Sequence, residues 1–227
     1  MIGKTETRRD SIKGKRSRAQ KKTLLVLILA VSIGFFCTHW AWKYYGLTDR
    51  TCIKENKSVE KRAKAAMDFA KRHNMNEHYV LLVDYSIQSG RPRMFVWDIN
   101  QRKIIASTYV MHGSGGGSTA KKPHFSNSPG SECSTLGNFL VTREHGIRLK
   151  RSLRLKGMDR DNQTAYARGL MIHGSKWVDI WCWNEYIPLN RESCMGCFTV
   201  STKGMDALWT LVNKEEKPLL LWAFDNK

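Results

Sequence analysis

The longest hydrophobic pattern in the chain is an uninterrupted apolar run near its N-terminus. From Leu24 to Trp42 there are 19 residues without an Asp, Glu, Lys or Arg. As a helix that rises about 1.5 Å per residue, this run is about 28 Å long, close to the roughly 30 Å hydrocarbon core of a bilayer. Aromatic residues crowd its far end, as they do at a membrane interface. The pattern predicts a transmembrane helix over residues 23–45.

The charge before this run predicts its orientation. Residues 1–22 hold nine Lys/Arg against two acidic residues, within a chain of net charge +18. Basic flanks stay in the cytoplasm, so we expect a basic cytoplasmic tail and an extracytoplasmic domain beyond the span. The apolar run exceeds the usual core of a signal peptide, and no A-x-A-like site follows it. These features favour an uncleaved, single-pass anchor in the inner (cytoplasmic) membrane, with the domain in the periplasm. The tail then serves orientation and anionic lipid contact, and we expect no nucleic-acid partner.

Periodicity changes from helical to strand-like beyond the anchor. Residues 46–75 are predicted to be a linker followed by an amphipathic helix from residue 58, with its apolar stripe centred on alanines. Short β-branched or aromatic segments separated by turn residues then predict strands. These segments are 79–86, 93–100, 103–113, 134–146, 169–175, 197–202 and 218–224.

Strands outnumber helices in the exported part. A further helix is predicted over 203–216, and 176–190 is aromatic and irregular. Residues 113–137 hold six glycines and two prolines, which excludes a regular element and favours a functional loop. We therefore expect residues 76–227 to form one mainly β domain, a sandwich or partly open barrel with packed helices.

The pair Cys194-x-x-Cys197 is the main chemical feature of the domain. A structural zinc site needs a second short-spaced pair, which the sequence lacks, so we expect no metal. A thioredoxin-like pair needs a helix directly after it, whereas "CFTV" predicts a strand. Five of the six cysteines lie beyond the span, an odd number, so at least one has no partner within the domain.

A nucleophilic cysteine is the alternative that the surrounding residues favour. Gly196 would let the chain turn sharply before Cys197 and present the amides of 195–197 to an oxyanion. His173 ends an apolar strand and is followed by Gly174, whose carbonyl could fix the imidazole tautomer. His112, in "VMHGSGGGST", is a rival base or a residue of a substrate loop. We expect the thiol of Cys197 to lie near His173 and to face a cleft.

These motifs resemble one known family. His-Gly on a strand, followed about two dozen residues later by Ser/Cys-x-Gly-Cys, is similar to the YkuD-like L,D-transpeptidase catalytic domain. "STLGNFLVT" looks like that family's Thr-Pro-x-Gly-x-Phe hairpin. The branch of murein L,D-transpeptidase catalytic domain proteins is similar from about residue 76 onwards. The segments that carry this similarity are "HGSGGGST", "GLMIHGS", "ESCMGC" and "KPLLLWAF".

The resemblance implies the fold, the activity and the site residues. It implies a cysteine-dependent enzyme without cofactor, whose thioester acyl-enzyme acts on peptidoglycan stem peptides. Cys197 matches the nucleophile, His173 the base and Gly174 the carbonyl that orients the base. Gly196 and Met195 would support the oxyanion, and Ser193 joins His112 as a candidate for substrate contact.

Two departures from the family pattern stand beside this match. Cys194 and Met195 replace the family's Ser and His, and Thr199 stands near a frequent Arg. The acceptor is left open: an amine of another stem (3–3 crosslinking), an amine of a protein, or water in an L,D-carboxypeptidase. A non-catalytic, membrane-tethered wall-binding module is the further alternative. The oligomeric state is also open.

Overall fold

The computed structural model describes residues 23–35, 57–147, 149–181 and 196–226. The chain divides into two compact units, Met1–Lys43 and Tyr44–Lys227. In the first unit, residues 23–35 form helix α1, whose apolar side chains are exposed. Over the described ranges, no helix combines the length and the apolar character needed to cross a membrane. The predicted tail and linker, and the rest of the predicted anchor, lie outside the described residues.

The second unit begins with the predicted amphipathic helix, α2 (Lys57–Arg72). Its buried face carries Val59, Ala63, Ala66 and Ala70, at the three- and four-residue spacing of one helix side. These side chains pack into a cluster with strand residues such as Leu82. The small alanines allow the helix to lie close to the sheet, and its lysines remain exposed to solvent.

Within the described residues of this unit, nine strands form one sheet, with the order β3-β2-β1-β9-β5-β6-β7-β8-β4. The two strands at the ends of this order, β3 and β4, are consecutive in the chain and separated only by Tyr109. The chain itself therefore joins the two edges, and the sheet is barrel-like and nearly closed. The strands are β1 (Tyr79–Asp84), β2 (Met94–Asp98), β3 (Lys103–Thr108), β4 (Val110–Met111), β5 (Gly137–Val141), β6 (Ser152–Gly157), β7 (Met171–Gly174), β8 (Phe198–Val200) and β9 (Leu219–Phe224).

Most neighbours in the sheet are antiparallel, but two pairs are parallel. β1 pairs with β9 in the parallel sense, and both are buried along nearly their whole length. This burial on both faces explains their continuous apolar sequences. β7 also pairs in parallel with β8, with Ile172 opposite Phe198 and His173 opposite Thr199. This second parallel pair brings together residues that are 26 positions apart.

Two helices flank the end of the β7–β8 pair. β7 runs into the short helix α3 (Lys176–Trp181), and β8 runs into α4 (Thr202–Lys214). Ser201 caps α4 by accepting a hydrogen bond from the Gly204 amide at 3.0 Å. The carboxylate of Asp179 accepts bonds from the amide and hydroxyl of Thr202, at 2.9 and 2.6 Å. These bonds connect the segments that leave the two strands.

The prediction of a mainly β domain with packed helices is confirmed, and the barrel-like alternative describes the sheet. Among the strands and α-helices of the described residues, two were not predicted. β6 alternates Leu153 and Leu155 with polar residues, a strand signal that was present in the sequence. The beginning of the segment predicted to be irregular, 176–190, is helix α3, and residues 182–190 lie outside the described residues.

Candidate active site

His173 lies on the parallel β7–β8 pair, directly opposite Thr199. The hydroxyl of Thr199 is 3.0 Å from Nε2 of His173, and this contact is buried. On the other side of the ring, Nδ1 lies 3.3 Å from the carbonyl oxygen of Gly174. A carbonyl only accepts hydrogen bonds, so in the neutral imidazole Nδ1 carries the proton and Nε2 offers a lone pair. Nε2 is thus the basic nitrogen, with Thr199 donating to it.

Cys197 comes immediately before β8. Side chains alternate along a strand, so Cys197 and Thr199 share a face, separated by about 6.6 Å at about 3.3 Å per residue. The thiol contacts the carbonyl oxygen of Gly169, with Sγ at 3.8 Å. Cys197 therefore lies one side-chain position along the strand from the residue opposite His173.

The burial of the site differs from the sequence-based expectation. The prediction that the thiol faces a cleft is wrong for this structure, since Cys197 is 0% exposed and His173 is 2% exposed. The glycine and strand pattern of the sequence could place Cys197 before a strand, but it could not show what covers the side chain. Buried polar groups interact more strongly than exposed ones, because water screens them less.

Gly196 adopts a backbone conformation that favours glycine, with φ of 94°. A Cβ at this position would lie 2.4 Å from the carbonyl oxygen of Cys133, which leaves no space for a side chain. The backbone at Gly196 thus lies directly against the backbone of Cys133. This close approach gives the predicted Gly196 turn a specific packing reason.

Ser134 connects this segment with the glycine-rich loop. Its hydroxyl accepts a hydrogen bond from the Gly113 amide at 3.0 Å and donates to the Gly196 carbonyl at 3.3 Å. Ser134 is completely buried. The loop therefore contacts the candidate nucleophile segment through one serine hydroxyl.

Arg168 supports the same region from the β7 side. Nη2 donates to the Cys133 carbonyl at 2.6 Å, and Nη1 donates to the Ser126 carbonyl and to Thr135, both at 2.7 Å. Among the described residues, no carboxylate accepts a hydrogen bond from this guanidinium. Partial burial lowers the pKa of Arg168, while its electrostatic attraction to the thiolates of Cys133 and Cys197 acts in the opposite direction.

His112 occupies a buried network next to the glycine-rich loop. Nδ1 accepts a hydrogen bond from Nη2 of Arg93 at 3.0 Å, and Nε2 donates to the Thr119 carbonyl at 2.8 Å. Burial, together with the positive charge of Arg93, lowers the pKa of His112 to about 4. The Arg93 cation donates to Nδ1, the nitrogen that would take up a proton, which argues against His112 as the rival base. Its contact with Thr119 fixes the loop instead.

Arg93 and Tyr85 complete this network beneath the site. The Arg93 guanidinium lies 4.8 Å from the centre of the Tyr85 ring and donates twice to the Val110 carbonyl. Burial lowers the pKa of Arg93 to about 10 and raises that of Tyr85 to about 12. At neutral pH, Arg93 is therefore charged and Tyr85 neutral. Neither residue was singled out from the sequence.

Some predicted site residues cannot be placed. Met195 and Ser193 lie outside the described residues, as does Cys194. Over the part of the chain that the structure describes, no group of three or more His, Cys, Asp or Glu side chains is arranged to hold a metal ion. The described site thus consists of His173, Gly174, Gly196 and Cys197, with Thr199 added by the structure.

The sequence matches the family model of the L,D-transpeptidase catalytic domain over residues 53–222. The match covers most of the chain and includes every candidate site residue described above. The chain therefore belongs to the L,D-transpeptidase catalytic domain family. No curated protein gives a significant match.

Solved structures similar to the chain include several L,D-transpeptidases. LdtMt1 in complex with imipenem is 10% identical, with a TM-score of 0.38, and the match covers 64% of this chain and 59% of LdtMt1. The enzyme of Xylanimonas cellulosilytica is 14% identical, with a TM-score of 0.36 and coverage of 69% and 68%. The catalytic domain from E. faecium is 17% identical, with a TM-score of 0.36 and coverage of 66% and 98%. The chain thus spans less than two thirds of LdtMt1.

Proposed function

We propose that this protein is a cysteine-dependent L,D-transpeptidase that acts on peptidoglycan stem peptides through a thioester at Cys197. The single observation that carries the proposal is the parallel pairing of β7 with β8, which puts His173 opposite Thr199 and one side-chain position from Cys197. The family assignment supplies the substrate class. The strand pairing and the family assignment together support acyl transfer at the end of the β7–β8 pair where Cys197 lies.

In the proposed first step, Cys197 attacks the carbonyl between the third stem residue and the terminal D-residue. His173 takes the thiol proton on Nε2, while Nδ1–H keeps its hydrogen bond to Gly174. The C–N bond then breaks, His173 returns the proton to the departing amine, and a thioester remains on Cys197. Electrons and protons balance without a cofactor.

Thr199 has a defined part in this proton transfer. In the resting site its hydroxyl donates to Nε2 of His173; after proton uptake, Nε2–H can donate to the same oxygen. A hydroxyl can reverse its role because it carries both a donor and lone pairs. Thr199 would therefore hold the ring in place in both protonation states.

The second step determines which activity the protein has. An amine of another stem would give a 3–3 crosslink, an amine of a protein would give attachment, and water would give L,D-carboxypeptidase activity. All three pass through the same thioester. A non-catalytic wall-binding module would form no thioester at all.

The test is incubation of the purified domain with a disaccharide-tetrapeptide, with and without added amine acceptor. The proposal predicts release of the terminal D-residue and, with acceptor, a product whose mass includes it. Release into water alone would establish the hydrolase alternative. Cys197→Ala should abolish release, whereas absence of release by the unaltered domain contradicts the proposal.

We also propose that residues 23–45 anchor the protein in the inner membrane with the domain outside the cytoplasm. The charge-free run from Leu24 to Trp42 after a basic tail supports this proposal. Full-length protein should remain in the membrane fraction after alkaline extraction, and a variant that lacks residues 1–45 should not. Release of the full chain by alkali would contradict the anchor.

A further inference from the structure

Ser134 is a polar side chain with no exposure to solvent, and it lies between two loops. It accepts from the Gly113 amide and donates to the Gly196 carbonyl, at 3.0 and 3.3 Å. Both of these hydrogen bonds are to backbone, and the hydroxyl also interacts with the Tyr85 side chain. Through the two backbone bonds, the hydroxyl acts on chain conformation. The contact with Gly196 spans 62 positions of sequence.

The Gly196–Cys197 peptide transmits this contact to the candidate nucleophile. The described chain has no cis peptide bond, so the Gly196 carbonyl and the Cys197 N–H point in opposite directions within one plane. When Ser134 holds the carbonyl, the direction of the Cys197 amide is set as well. The same plane contains the Cα of Cys197, so the position of this atom is fixed as well.

Close packing keeps both loops against the segment that contains Ser134. A Cβ on Gly113 would lie 2.1 Å from the Glu132 carbonyl oxygen, and a Cβ on Gly196 would lie 2.4 Å from that of Cys133. Arg168 holds the Cys133 carbonyl from another direction, at 2.6 Å. The backbone next to Ser134 therefore has little room to shift, and this holds the serine hydroxyl in place.

We propose that Ser134 is a positioning residue for acyl transfer, holding the Gly196–Cys197 peptide so that the Cys197 amide keeps its direction towards the developing oxyanion. This inference rests on the proposed function, because it concerns how that thioester forms. Ser134 does not touch the reacting atoms. It acts through the peptide that it holds.

This role separates two reactions of the same thiol. Acylation by a carbapenem opens the lactam C–N bond through a tetrahedral oxyanion, which needs an oriented donor. Alkylation by iodoacetamide displaces iodide at a saturated carbon and forms no such oxyanion. Loss of the Ser134 hydroxyl should slow the first reaction and spare the second.

The experiment measures both rates at Cys197 by peptide mass spectrometry, in the full chain. Ser134→Ala should slow acylation by imipenem about 10- to 100-fold, since loss of an oxyanion-hole donor costs about 10²–10³ and misorientation costs less. Alkylation should change less than about threefold, because the hydroxyl does not act on the thiol's own reactivity. Ser134→Thr, which keeps a hydroxyl, should restore acylation.

A matched control is Thr142→Val. The Thr142 hydroxyl also bridges backbone, donating to the Arg154 carbonyl at 3.0 Å and accepting from the Glu144 amide at 3.3 Å. Its loss should leave both rates unchanged. Thermal unfolding of each variant checks the fold, and Ser134→Cys, similar in size but a weak hydrogen-bonding group, replaces the alanine variant if that variant does not fold.

Equal slowing of both reactions, or of neither, would overturn the positioning role while Cys197 acylation in the unaltered protein still supports the proposed function. Alkylation without any acylation in the unaltered protein would overturn the proposed function, and the inference with it.

Discussion

His173 and Thr199 face each other across the parallel β7–β8 pair, with Nε2 and Oγ1 3.0 Å apart in a buried environment. The Thr199 hydroxyl is thus hydrogen-bonded to Nε2, the basic nitrogen of the candidate general base. In the sequence, Thr199 was a departure from the family pattern. In the structure, it contacts Nε2 of the imidazole ring, while the Gly174 carbonyl contacts Nδ1.

Removal of the Thr199 hydroxyl should destabilise the domain. Thr199→Val removes a buried hydrogen bond to His173, at a cost of about 1–3 kcal/mol, whereas Thr199→Ser keeps the bond. Urea unfolding gives the free energies. Equal stability of the valine variant and the unaltered domain would show that this hydrogen bond contributes nothing.

The pKa of His112 predicts a pH dependence of stability. Folding lowers this pKa from 6.5 to about 4, so between these values the unfolded chain binds a proton that the folded domain does not. Acidification through this range therefore favours unfolding, by about 3 kcal/mol at most, since one pKa unit corresponds to about 1.4 kcal/mol. Above pH 6.5 the contribution is constant.

The measurement compares urea unfolding at pH 7 and pH 4.5 for two variants. His112→Gln should lose most of the acid-induced decrease in stability, even if it is less stable overall. His145→Gln, which changes an exposed histidine, should retain it. An unchanged pH dependence in the His112 variant would contradict the assigned cause.

Arg168 should influence the ionisation of Cys197. Its guanidinium attracts the Cys197 thiolate, and its partial exposure weakens this attraction. Arg168→Met should move the pH midpoint of Cys197 alkylation upwards by about half a unit to one unit. Arg168→Lys should move it less, because the charge is kept.

Arg154→Met is the control for a general effect of lost positive charge. The Arg154 guanidinium lies 3.9 Å from the centre of the Tyr166 ring, and it pairs with Glu144 at 3.8 Å. Its loss should leave the alkylation midpoint unchanged. A downward shift in Arg168→Met would rule out the electrostatic role.

Substitution of Gly196 by alanine should destabilise the domain by more than the positive φ alone would explain. Gly196 and Gly130 both have positive φ, 94° and 74°, but a Cβ would overlap backbone only at Gly196. Gly130→Ala should cost about 1–2 kcal/mol, and Gly196→Ala clearly more. Similar losses in urea unfolding would show that the Cys133 carbonyl can move aside.

The sequence predicted those parts of the fold that depend on local pattern. The β-branched and aromatic strands and the amphipathic α2 carry their own signals, and Cys197, His173 and Gly174 came from motif and spacing. α3 has only six residues, and the Asp179–Thr202 contact is a tertiary support that no local pattern reveals. Elements of this kind depend on the folded chain.

The support of the site could not be predicted for the same reason. Ser134 and Gly196 are 62 positions apart, and Arg168 and Cys133 are 35 apart. Nothing in either local sequence marks the residue as a partner of the other. The burial of Cys197 was also missed, because a glycine before a strand indicates a turn but not what covers it.

The most direct test of the account is a mass spectrum of the protein after reaction with a carbapenem, with peptide mapping of the adduct. We expect one acyl group per chain, on the peptide that contains Cys197, absent in Cys197→Ala and formed much more slowly in His173→Gln. An adduct on Cys133 or Cys194, or acylation that persists without Cys197, would contradict it.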